Sequence, residues 1–74
     1  MIRKADKNIL TKIAKKLREI RFEQHLTQKE VAKRAKINSN YYAKIERGEA
    51  SLSVITLLKI SEALKIKTSK ILSN

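Results

Sequence analysis

From Asp6 onward, apolar residues fall at Leu10, Ile13, Ala14, Leu17 and Ile20, at spacings of three and four. That period gathers them on one face of a helix and leaves Lys12, Lys15, Lys16 and Glu19 mainly on the other. The pattern predicts an amphipathic helix over residues 6–24 with Asp6 as its N-cap. The next helix starts are marked more sharply. Thr27-Gln28-Lys29-Glu30 is a capping box: the Thr27 hydroxyl can accept from the Glu30 N–H while the Glu30 carboxylate reaches back to the Thr27 N–H. Leu26 and Val31 flank that cap at the spacing of a hydrophobic staple. The pairing recurs as Ile37 and Tyr42 around Asn38, and as Leu52 and Leu57 around Ser53. Helices are therefore predicted over 28–35, 39–47 and 54–64, with a short one near 68–72. The fold class is all-α, five helices in one domain over 1–74.

The predicted helices over 28–35 and 39–47 are about two turns each and marginal alone, so packing must hold them. Only Lys36-Ile37-Asn38 separates them. A short helix, a tight turn and a second short helix is helix-turn-helix geometry. With Tyr42 and Ile45 turned inward, a rotation of about 100° per residue points Asn40, Ala43, Lys44 and Arg47 outward. Ser39 and Tyr41 flank that face. Amides, hydroxyls, a small residue and a cation suit a DNA major groove, where Asn can pair with adenine and Lys can donate to guanine. An ordinary solvated helix face would have a similar composition.

Charge supports the groove reading. The 74 residues carry 18 Lys/Arg against seven Asp/Glu, a net +11. Residues 1–36 hold twelve basic and four acidic side chains, and residues 37–74 six and three. Such an excess fits a polyanion: DNA, RNA or an anionic membrane. It also fits a merely solubilising surface. Absences narrow the field. With no Cys and one His there is no thiol nucleophile, no zinc cluster and no His pair. With no Gly-rich phosphate loop either, an enzyme, a metal site or a cofactor has nothing to be built from. Zero Pro and one Gly argue against a turn-rich β-sandwich. No apolar run approaches the roughly 20 residues needed to span a bilayer. The N-terminus has no apolar signal segment. A cytoplasmic protein without a small-molecule ligand is expected.

Leu26-Thr27-Gln28-Lys29-Glu30-Val31-Ala32, then Ile37, then Ile45-Glu46-Arg47-Gly48, then Leu57-Leu58-Lys59-Ile60-Ser61-Glu62-Ala63-Leu64 resemble the Cro/repressor (XRE-like) helix-turn-helix family. The likeness runs in order from about Ile13 to Leu72. It implies a five-helix domain whose third helix enters the major groove of double-stranded DNA. By position, Ser39, Asn40, Tyr41 and Lys44 would meet base edges, Thr27 and Arg47 would contact phosphates, and Gln28 would both grip a phosphate and brace the recognition helix. Arg21 and Glu46 match a structural ion pair between the first and third helices. The sequence departs where the family favours Gly at helix ends, with His25, Lys36 and Lys65 in those places. Only Gly48 is kept, and Lys67 replaces a usual Ser/Thr cap.

Other readings weigh less. A membrane-surface helix usually carries Trp or Phe on its apolar face, and Phe22 is the single candidate. RNA modules stack bases on exposed aromatics, and the chain has three aromatics in all. A protein-interaction module such as an antitoxin or adaptor is opposed by the polar, basic outer face of the third helix. Within DNA binding, the length suits a restriction–modification controller, a small repressor or an antitoxin. One helix-turn-helix reads few base pairs, so a homodimer on a palindromic operator is expected. Its interface is expected to be an apolar strip of Leu52, Ile55, Ile66, Ile71 and Leu72. The alternative for Ile66, Ile71 and Leu72 is that they close the core.

Overall fold

The computed structural model describes residues 4–73; residues 1–3 and 74 of the 1–74 unit lie outside the described part. Five helices follow one another: α1 (Lys4–Glu23), α2 (Gln28–Ala35), α3 (Ser39–Glu46), α4 (Val54–Ala63) and α5 (Thr68–Leu72). No strand occurs among the described residues. The predicted elements are all present, with helix ends displaced by one or two residues. One assignment is corrected. Because α1 begins at Lys4, Asp6 sits inside its first turn and is not the N-cap. An acidic side chain there still complements the positive end of the helix dipole.

The three capped starts form as their sequences dictate. Glu30 N donates to Thr27 Oγ1 at 3.1 Å and Thr27 N donates to Glu30 Oε1 at 2.9 Å, closing the capping box. Tyr41 N donates to Asn38 Oδ1 and Thr56 N to Ser53 Oγ, both at 3.0 Å. Lys67 precedes α5 with no side-chain cap. Its short helix is instead tied to α4 by Ser61 and Thr68, whose hydroxyls lie 3.1 Å apart.

Helix ends explain the departures from the family's glycines. His25, Lys36 and Lys65 all adopt the left-handed conformation, with φ of 56°, 59° and 56°. Each lets the next residue's N–H turn back onto the preceding helix: Leu26 to the Arg21 carbonyl, Ile37 to Ala32 and Ile66 to Ser61. The backbone geometry is thus kept without Gly, at a cost of roughly 1–2 kcal/mol for each L-residue held there. Gly48 is different. Its φ is 71°, and a Cβ added to it would lie 3.4 Å from Thr11 Oγ1 and 3.5 Å from Thr11 Cα. Those are ordinary van der Waals distances, so it is the left-handed backbone conformation that favours Gly here.

The core is the shared inner face of the helices. Leu17, Val31, Tyr42, Ile45, Ile60 and Leu64 are among the side chains buried most completely. Leu10, on the predicted apolar face of α1, is only half-buried. α2 packs on α3 and α4, while α1 packs on α3 and α5. The Gln24 amide donates to the Leu64 carbonyl at 2.7 Å, joining the end of α1 to the end of α4.

Candidate nucleic-acid interface

A buried carboxylate sets the position of α3. Glu46, 1% exposed, ends the helix facing inward. Arg21 of α1 grips it in bidentate fashion, Nε to Oε2 at 2.7 Å and Nη2 to Oε1 at 2.9 Å. Gln28 Nε2 at the start of α2 donates to Glu46 Oε1 at 3.0 Å. Arg18 adds a bond from Nη1 to the Glu46 carbonyl. Arg21 Nη1 also donates to the Leu26 carbonyl at 3.0 Å, holding the turn before α2. Three helices therefore meet on one side chain. Burial pushes the Glu46 carboxyl up, but hydrogen bonds from Arg21 and Gln28, with the Tyr42 phenol alongside, hold it below the ordinary carboxylate range. The same pairing raises Arg21. The fixed fork of a guanidinium suits this role better than an ammonium would.

Adjacent tyrosines divide between interior and surface. Tyr42 is fully buried, and burial pushes its phenol up. Its hydroxyl lies beside Glu46 and Arg21 without a hydrogen-bond partner among the described residues. Tyr41 is half-buried, and its hydroxyl donates to the Ser51 carbonyl at 3.0 Å. That bond fixes the ring beside α3 while the oxygen lone pairs stay available to accept.

With Tyr42, Ile45 and Glu46 inward, the other side of α3 faces solvent. Asn40, Lys44 and Arg47 are exposed, and Ser39 and Ala43 are half-buried between them. Arg47 Nε is paired with Glu49 at 3.0 Å, an exposed bridge of small energy that a phosphate can replace. Thr27 is exposed and Gln28 half-buried at the start of α2, which Glu46 ties to the end of α3. One hydrogen-bonded frame thus carries Thr27, Gln28 and the outer face of α3. No cluster of His, Cys, Asp or Glu able to hold a metal occurs among the described residues.

The predicted dimer strip separates on inspection. Ile71 is 2% exposed and belongs to the core, so its place on a surface strip is corrected: α5 is docked by that side chain. Leu52 and Ile66 pack partly against the core. Leu72 is exposed but lines a hollow against α1, together with Ile9 and Ile13. Ile55 is 66% exposed, and its company is Val54 at 74% and Leu58 at 46%. Sequence reading missed Val54 and Leu58. A helical projection of 54–64 places Leu58 beside both, three residues from Ile55 and four from Val54, once Leu57 and Ile60 are turned inward.

The fold and this interface define a helix-turn-helix DNA-binding regulator, and comparison with known proteins agrees. Residues 15–71 match the helix-turn-helix (HTH_3) family, and the chain belongs to it. It is a DNA-binding transcriptional regulator and not an enzyme. Among solved structures it resembles the restriction–modification controller protein C.AhdI from Aeromonas hydrophila, with a TM-score of 0.82 and 31% identity over 84% of this chain and 94% of that one. The controller C.Esp1396I matches at 0.77 and 27% identity, over 80% of this chain and 78% of that one. An HTH_3 family transcriptional regulator from Vibrio cholerae matches at 0.86 and 29% identity over 89% of this chain, which spans 37% of that protein. No curated protein matches the chain by sequence. No described helix is long and apolar enough to cross a membrane.

Proposed function

We propose that the chain binds duplex DNA sequence-specifically as a homodimer on a palindromic operator, as a controller-type regulator or small repressor acting in the cytoplasm. The observation that carries this reading is the joining of Glu46 to Arg21 and Gln28, which fixes α3 while its polar outer face stays exposed. In this reading Ser39, Asn40, Tyr41 and Lys44 meet base edges, and Thr27, Gln28 and Arg47 hold phosphates. Gln28 can do both jobs, since its amide has a second N–H beyond the one given to Glu46. Val54, Ile55 and Leu58 form the dimer contact, placing two copies of α3 in grooves about one helical turn, or 34 Å, apart. Likeness to two controller proteins supports the controller role.

Selection from random duplex DNA tests the proposal. A palindromic site should be enriched. If about six phosphates are neutralised, log K against log salt should fall with a slope of about −5. Ile55→Glu should leave melting unchanged, shift sedimentation to monomer and abolish cooperative binding to the full palindrome. Enrichment of no sequence, or a dimer that persists in Ile55→Glu, contradicts the corresponding half of the proposal.

A further inference from the structure

Away from α3, the molecule exposes a second apolar surface. Ile9 on α1 is 57% exposed and Leu72 at the end of α5 is 55% exposed. Between them lies a hollow of about 190 Å³ whose lining includes Ile13 and Ile71. A second hollow, of about 300 Å³, shares Lys12 and Ser73 with the first and is walled by Lys15, Lys16 and Glu19. The two form one trough, apolar at one end and basic along its wall, whose described lining residues include Lys12, Lys15 and Lys16 beside Glu19.

The trough is separate from the DNA-reading frame. Thr11 lies against Gly48, and Arg18 and Arg21 reach Glu46, which marks the flank of α1 that faces α3. At about 100° per residue, Ile9, Lys12, Ile13 and Lys16 fall on a different flank, the one that meets α5. The chemistry narrows the occupant. A second copy in a two-fold contact would bring two such lysine-rich walls into one interface on chains of net charge +11. A nucleic-acid backbone would leave Ile9 and Leu72 against charged phosphates with nothing to bury them. An occupant with apolar side chains and adjoining carboxylates satisfies both ends.

We propose that the trough between α1 and the end of α5 docks an acidic amphipathic peptide segment of another protein. Its Leu-like side chains enter the hollow beside Ile9 and Leu72, and its carboxylates meet Lys12, Lys15 and Lys16. This is helix-in-groove recognition with a charged wall. The contact is small, of the transient class below about 1,200 Å², and it weakens with salt. A regulator seated on DNA through α3 would present this trough on another flank, free to recruit such a partner.

Fluorescence anisotropy on the full chain tests it. The probe is a labelled peptide of about a dozen residues with Leu at helical spacing and Glu between. The same peptide with Lys for Glu serves as comparison. The acidic peptide should bind and the basic one should not. Ile9→Asn, and separately Lys12→Gln with Lys16→Gln, should each weaken binding by about tenfold. A control pair of equal charge loss, Lys59→Gln with Lys67→Gln, should change it by less than about twofold. Both lysine pairs should alter duplex affinity equally. Equal binding of the two peptides, or no binding of the acidic one, overturns the proposal. So does a selective loss of duplex affinity in the Lys12/Lys16 variant, which would assign the wall to DNA. Self-association of the wild type that Ile9→Asn abolishes would assign the trough to a second copy and also overturn it.

Discussion

The segment from Thr27 to Glu46 and the segment from Ser53 to Ser73 are both pairs of short helices joined by a tight turn, yet they are finished differently. In the first, both helices have side-chain caps and Glu46 draws α1, α2 and α3 onto one buried hydrogen-bonded centre. Its exposed side is polar. In the second, only the first helix is capped, and Val54, Ile55, Leu58 and Leu72 face solvent. A face that reads a polar groove must be held rigid and keep its amides and cations in water. Apolar side chains left exposed gain nothing from folding, and a cluster of them suits contact with a protein surface. On the proposed function, the contrast divides the molecule into a fixed reading unit and a self-associating one.

The sharpest way to break the contrast is to remove its centre. Glu46→Ala leaves Arg21 buried without its counter-charge and should destabilise by about 3–5 kcal/mol in urea unfolding. A loss under about 1 kcal/mol would show that α3 is held by apolar packing alone. Tyr42→Ala should cost roughly 3 kcal/mol or more through the cavity it leaves, whereas Tyr41→Ala, which loses a half-buried ring and one hydrogen bond, should cost about 1 kcal/mol and should reduce DNA affinity. Tyr42→Phe sharpens this further. The hydroxyl it deletes has no hydrogen-bond partner among the described residues, so stability should change by less than about 1 kcal/mol.

Acid should act on the same centre. The folded Glu46 carboxyl lies below its ordinary value of 4.5, so its contribution is complete above that value and is lost as pH falls through the lower, folded one. Glu46→Gln should flatten that part of the stability–pH curve. Smaller effects belong to the helix ends. Lys36→Gly or Lys65→Gly should stabilise by about 1 kcal/mol by relieving a left-handed L-residue. Lys67→Ser, by capping α5, should add about 0.5–1 kcal/mol, and thermal melting would read both.

Much of this was legible in the sequence because local chemistry marks it. Thr27, Asn38 and Ser53 announce helix starts through a single side-chain bond, and the apolar period of α1 is plain. His25, Lys36 and Lys65 are legible only through the resemblance, as places where the family favours Gly, since nothing in a Lys or His itself announces positive φ. The strip on α4 was read through Ile55 alone, because deciding which of its apolar residues face the core needs the packing of α2 on α4. Ile71 is open between surface strip and core in the sequence for the same reason, and the structure places it in the core. An apolar residue near a chain end looks alike whether it closes the core or leaves it. The contacts of Arg18 and Gln24 with distant carbonyls leave no sequence signature, as a backbone acceptor can belong to any residue.

On the proposed function, α3 is a fixed helix whose outer face reads bases, while Arg47 at its end and Thr27 and Gln28 at the start of α2 hold phosphates. Binding-site selection repeated with Lys44→Ala and with Arg47→Ala tests it most directly. Lys44→Ala should relax preference at one or two base pairs and cost roughly 1–3 kcal/mol on the preferred site. Arg47→Ala should weaken all sequences about equally and reduce the salt slope by about one. A Lys44→Ala protein that selects the same site with undiminished discrimination would contradict the orientation of α3 and the reading built on it.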